Sequence, residues 1–141
     1  MSTQVSTIVT GHRHSSFLRT AIALQTLTIF LQAVSAGLLL TSAYGETLHS
    51  VGARVMYGAT MLYVLAAVLA WKPGGGSPRP VWHALGFLVL ASGQVLLGIA
   101  HVPSVHLPLG VLMFGLSVLA LVPRRGLADV PDHRGYQRAT P

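Results

Sequence analysis

Apolar residues along this chain gather into four long runs separated by short polar breaks. The runs cover about Thr20–Ala43, Val51–Trp71, Val81–Ala100 and Val105–Val122. A helix needs about 20 apolar residues to cross a hydrocarbon layer of ~30 Å, so each run predicts one membrane-spanning helix. The breaks carry helix-stopping residues. Lys72-Pro73-Gly74-Gly75-Gly76-Ser77-Pro78-Arg79-Pro80 reads as a flexible loop, and Tyr44-Gly45-Glu46-Thr47 and Val102-Pro103-Ser104 read as tight turns. The expected fold is an all-α, polytopic four-helix bundle over residues 17–122, built from two tandem helical hairpins. Polar tails flank it at 1–16 and 123–141.

Composition agrees. Hydrophobic residues make up 52% of the chain and charged residues 9%, where soluble domains carry roughly 25% charge. So few charges cannot cover a water-facing surface. A soluble enzyme, a disordered chain and a nucleic-acid-binding domain are excluded. The net charge of +6 forms no basic stripe with interleaved aromatics. The first run is longer than the 7–15 residues of a signal-peptide core, so it is read as a retained helix although Thr41-Ser42-Ala43 loosely resembles a cleavage site.

The placement of the cations predicts orientation. Arg13 and Arg19 precede the first helix, Lys72 and Arg79 lie in the second break, and Arg124, Arg125, Arg134 and Arg138 follow the last helix. Arg54 alone lies near the other side. The positive-inside tendency puts both termini and the Gly/Pro loop in the cytoplasm. Abundant Arg against one Lys, with Asn absent, fits a GC-rich bacterial genome and hence a bacterial cytoplasmic membrane.

Two stretches begin alike. His49-Ser-Val-Gly-Ala-Arg-Val-Met-Tyr-Gly58 parallels His106-Leu-Pro-Leu-Gly-Val-Leu-Met-Phe-Gly115. The preceding helices also correspond, Gln32-Ala-Val-Ser-Ala-Gly37 resembling Gln94-Val-Leu-Leu-Gly98 with one residue of slippage. The chain therefore reads as an internal repeat of two parallel units related by an axis along the membrane normal. On that reading His49 and His106 lie at one depth near the outer face, on opposite sides of the axis.

Neutral imidazoles ligate metals and haem iron, so this pair is the first candidate site: His49 and His106 holding one haem b iron. The alternative is two interfacial histidines that cap helices. Glu46, the one acid outside the tails, precedes His49 by three residues. It reads either as a catalytic or proton-accepting group beside a cofactor, or as a carboxylate favoured by the positive helix start. Arg54 snorkels to headgroups or meets a cofactor propionate, and His101 is a secondary cofactor ligand. His83 lies at the cytoplasmic end, and His12, His14 and His133 belong to the tails. Gln32 and Gln94, amides at membrane depth, are expected to hydrogen-bond across helices, and Gly37, Gly52, Gly98 and Gly110 to permit close packing. The chain has no Cys, which excludes disulfides and thiolate sites. No carboxylate lies inside an apolar run, which argues against proton- or cation-coupled transport.

The second and fourth helices open with histidines, and Glu46-Thr-Leu-His49 forms a Glu-x-x-His motif. With Gln94-Val-Leu-Leu-Gly98 in the third helix, this resembles one four-helix half of a heme A synthase over roughly residues 20–122. The resemblance implies a haem site formed by His49 and His106, and a haem-modifying oxidoreductase activity using Glu46. That family has eight helices in two such units and usually an Arg after the motif His, where this chain has Ser50. Small bacterial four-helix membrane proteins with paired Leu-His…Gly motifs are similar in size. The leading expectation is a b-type haem protein for electron transfer or haem handling. The alternative is a cofactor-free structural or accessory membrane subunit. The lipid bilayer is the expected environment, with self-association or a larger membrane complex as expected partners.

Overall fold

The computed structural model describes the backbone of residues 2–122 and the side chains of residues 16–122. Four helices account for nearly all of it: α1 (Ser2–Leu38), α2 (Gly45–Trp71), α3 (Arg79–Ile99) and α4 (Pro103–Leu121). All four are long and apolar enough to cross a membrane, over Ser16–Leu38, Gly45–Trp71, Arg79–Ile99 and Pro103–Leu121. The all-helical class and the tandem-hairpin architecture stand as the hydrophobic pattern predicts.

The helix limits differ from the apolar runs. The first helix stops at Leu38, five residues before Ala43, and extends back to Ser2 through the segment read as a tail. The second begins at Gly45 rather than Val51, which places Glu46 in its first turn and His49 inside it. Hydropathy marks where a chain is apolar, whereas helix ends follow local hydrogen bonding. Ser42 N–H bonds to Leu38 O at 2.9 Å and Gly45 N–H to Ser42 O at 3.0 Å, closing the turn between α1 and α2. After α2, Gly74 N–H bonds back to Leu69 O at 3.1 Å, and Gly75 takes a φ of 66° that favours glycine. Pro80 and Pro103 sit at the starts of α3 and α4, where a missing N–H costs nothing and the fixed φ already suits a helix. The expected 123–141 tail lies outside the described residues.

Packing is cyclic. Helix α1 packs on α2 and α4, and α3 packs on the same two, so α2 and α4 face each other diagonally across the axis. The inward positions of the two hairpins follow one register. Ile22, Gln25, Ile29 and Gln32 on α1 have the same spacing as Ala84, Phe87, Ala91 and Gln94 on α3. His49, Met56 and Thr60 on α2 match the spacing of His106, Met113 and Ser117 on α4. All are buried except Gln32, His49 and His106, which are half-buried.

Fully enclosed alanines set the closeness of α2 and α3. Ala66 and Ala67 on α2, and Ala84 and Ala91 on α3, have no exposed surface. Small residues let helix backbones approach where lipid supplies no hydrophobic drive to association. Larger side chains such as Val89 and Leu119 point outward, as a lipid-facing surface allows. In mid-bundle, Thr60 Oγ donates to Gln25 Oε1 at 3.0 Å, joining α2 to α1.

Ala91→Leu is expected to lower the unfolding free energy in mixed detergent micelles by about 1–3 kcal/mol through overpacking. Val89→Leu, two residues earlier on the outward face, should change it by less than about 0.5 kcal/mol. Equal effects from both substitutions would mean that this face of α3 is not inside the bundle.

Candidate functional site

The end of the bundle that holds the two short connections, residues 39–44 and 100–102, carries the polar cluster. Each hairpin contributes in the same way. In the first, Gln32 reaches from α1 to α2, and its Nε2 donates to the main-chain carbonyl of His49 at 3.0 Å. In the second, Gln94 reaches from α3 to α4, and its Nε2 donates to the main-chain carbonyl of His106 at 3.1 Å. These are the cross-helix amide bonds that the sequence predicts.

Each amide lies over a glycine. A Cβ on Gly52 would collide with Gln32 Oε1, and one on Gly110 would stand 3.0 Å from Gln94 Nε2. Gln32 Oε1 and Gln94 Oε1 are both buried and have no hydrogen-bond partner. Each amide thus donates to the histidine of the neighbouring helix, and at Gln32 the acceptor lies against Gly52 of that helix.

The two imidazoles meet across the axis. Their ring centroids are 6.1 Å apart with ring planes at 69°. His106 Nδ1 lies 3.1 Å from the main-chain carbonyl of Gln94. A carbonyl only accepts, so this nitrogen carries the proton and Nε2 keeps its lone pair. His49 Nδ1 lies 3.1 Å from Ser35 Oγ. That hydroxyl already donates its single proton to Gln32 O at 2.9 Å, so it accepts from His49 Nδ1–H. Gln32 Nε2 lies 3.3 Å from His49 Nδ1 and 3.4 Å from His49 Nε2; with the Nδ1 proton given to Ser35, the Nε2 lone pair is the one that accepts from this amide. With the Ser35 proton on Gln32 O, both rings hold a proton on Nδ1 and a lone pair on Nε2.

The other candidates stand apart from this pair. Glu46 is exposed in the first turn of α2, while the His49 ring is engaged by Ser35 and Gln32. Arg54 is exposed one and a half turns further on. His101 is exposed in the α3–α4 connection with a φ of 54°. It occupies the left-handed position that ends α3, with its own N–H bonded to Gly98 O and Val102 N–H bonded to Leu97 O. His83 is exposed near the start of α3, at the opposite end of the bundle. His12, His14 and His133 lie outside the residues whose side chains are described. Among the described residues no cluster of three or more His, Asp or Glu forms. Ser35 escaped the sequence reading, although a Ser one turn beyond a membrane-depth Gln shares its helix face.

No protein family, curated protein or solved structure matches the chain.

Gly52→Ala should displace the Gln32 amide and cost about what one cross-helix hydrogen bond is worth in a membrane, roughly 0.6–1.7 kcal/mol. Because both changes remove the same contact, the Gly52→Ala penalty should vanish in a Gln32→Ala background. Additive penalties in that double-mutant cycle would show that Gly52 serves something other than seating the amide.

Proposed function

We propose that this integral membrane protein binds one b-type haem between His49 and His106, for electron transfer or haem handling. The observation that supports it is the imidazole pair meeting across the axis, with His106 Nδ1 tied to a carbonyl and its Nε2 lone pair free of any protein partner among the described residues, while His49 Nε2 would exchange its Gln32 N–H contact for the metal. Two imidazoles that held one metal ion between them, each with a bond of about 2.0 Å, would have ring centroids roughly 6 Å apart. The 6.1 Å between His49 and His106 fits that requirement. Hydrogen-bonding the far ring nitrogen to a carbonyl or similar acceptor is also how ligating histidines are commonly oriented.

In this reading the iron supplies a one-electron redox couple, and the protein supplies its surroundings. His49 and His106 would hold the iron. Gln32 and Gln94 hold the starts of α2 and α4 in place by their main-chain carbonyls. Apolar residues on all four helices exclude water. Arg54 is the cation available for propionates near the membrane surface, where an unpaired carboxylate is costly to bury. The cation distribution orients both termini and the 72–80 loop toward the cytoplasm, with the histidine end outward. The matched register of the two hairpins supports an origin by duplication.

A second reading follows from Gln32 and Gln94. Their bonds to the main-chain carbonyls join the helices of each hairpin whether or not a cofactor is held, as they would in a cofactor-free structural or accessory subunit. Haem modification through Glu46 rests on resemblance to heme A synthase alone.

Protein made with adequate haem should be red, with a Soret band and a reduced-minus-oxidised spectrum of low-spin b haem. His49→Ala and His106→Ala should each abolish or strongly weaken that spectrum, and His83→Ala should leave it intact. Folded, monodisperse, colourless protein would favour the accessory-subunit reading.

Reporter fusions should read cytoplasmic after Trp71 and after Val122, and external at Gly45. An external signal from within 73–80 would invert the assigned orientation.

A further inference from the structure

The two halves of the site differ in one respect that their shared register hides. His106 rests its Nδ1–H on a main-chain carbonyl, that of Gln94, which no side-chain change can remove. His49 rests its Nδ1–H on a side chain, the hydroxyl of Ser35. The α3 position that corresponds to Ser35, three residues after Gln94, is Leu97, which offers no acceptor. The two imidazoles are therefore fixed by acceptors of different chemistry.

Ser35 is built for this contact. It is buried, and its own proton is committed to the Gln32 carbonyl one turn back. That commitment turns an oxygen that could donate or accept into one that faces His49 as an acceptor. Gln32 Nε2 lies within 3.4 Å of both ring nitrogens of His49. An amide N–H can only donate, so it offers the ring no acceptor in place of Ser35.

We propose that Ser35 is a positioning residue for His49: it accepts the Nδ1 proton, fixes the ring's tautomer and turns its Nε2 toward His106. The redox consequence rests on the haem reading, whereas the tautomer assignment rests on the hydrogen bonds alone. An acceptor on the far nitrogen raises the basicity of the ligating one. Greater basicity favours ferric over ferrous iron, so Ser35 holds the midpoint potential down. A hydroxyl is a weaker acceptor than a carbonyl, so His49 would be the weaker of the two donors to the iron and the one that a single substitution can release.

The test compares wild type, Ser35→Ala and Ser35→Thr, with Leu97→Ala as a control in the other half. Nitrogen-15 spectra of histidine-labelled, haem-free protein in detergent read the tautomers without any cofactor. In wild type, His49 and His106 should both carry the proton on Nδ1. Ser35→Ala should mix the tautomers of His49 only, Ser35→Thr should restore the single form, and Leu97→Ala should leave both rings unchanged. An unchanged His49 signal in Ser35→Ala would overturn the proposal. In haem-loaded protein, Ser35→Ala should lower haem affinity by about 10- to 100-fold, shift part of the iron to high spin and raise the midpoint potential, with Thr reversing all three. Altered tautomers in protein that takes up no haem would leave the positioning role standing and refute the haem reading. Normal affinity, spin state and potential in Ser35→Ala would refute the redox role of Ser35.

Discussion

Everything in this bundle answers to one constraint: hydrocarbon offers no partner to a polar group, so each amide, hydroxyl and imidazole inside must find one within the protein. The consequence is a polar axis within an apolar sleeve. Gln25 meets Thr60 in mid-bundle. Gln32 and Gln94 meet the histidine carbonyls at one end. Each of these bonds joins the two helices of one hairpin, while Tyr57 and Ser92 hydroxyls, 3.3 Å apart, link the hairpins through α2 and α3. The imidazoles converge because the helices carrying them are tied at the residue that bears the ring.

Much of this was legible in the sequence because membrane insertion imposes coarse rules. Length and apolarity identify four spans without tertiary information, and the repeated His-x6-Met pattern on α2 and α4 puts His and Met on one face, since seven residues are nearly two turns. The inward face of α1 was harder to read. Its Gln25 and Ser35 interrupt the apolar run as small perturbations of hydropathy, yet both are buried and bonded. Residue type alone does not say whether a hydroxyl in a membrane helix satisfies its own backbone or another helix. Thr26, whose hydroxyl donates to Ile22 O on its own helix, and Thr60, whose hydroxyl also reaches Gln25 on another, look alike in sequence.

Helix ends were read less well, for a related reason. The run from Leu39 to Ala43 is apolar enough to continue a helix, but the chain turns there so that α2 can start at Gly45. That early start matters more than its length implies. Moving the beginning of α2 back by six residues places His49 inside a regular helix, where its carbonyl has a defined direction for Gln32. A histidine in the connection itself would have offered no such fixed point. His101, which does sit in a connection, is exposed and serves to end a helix.

Half of the imidazole pair is carried by the helix least held by its neighbours. Helix α4 has two buried residues, Met113 and Ser117, against six on α2. It is also synthesised after the other three. The pair is thus completed only when α4, the loosest of the four, docks, and it separates whenever that helix loosens. Anything bridging the two rings would act as a clasp on α4, and its occupancy would become a measure of whether the whole bundle has closed.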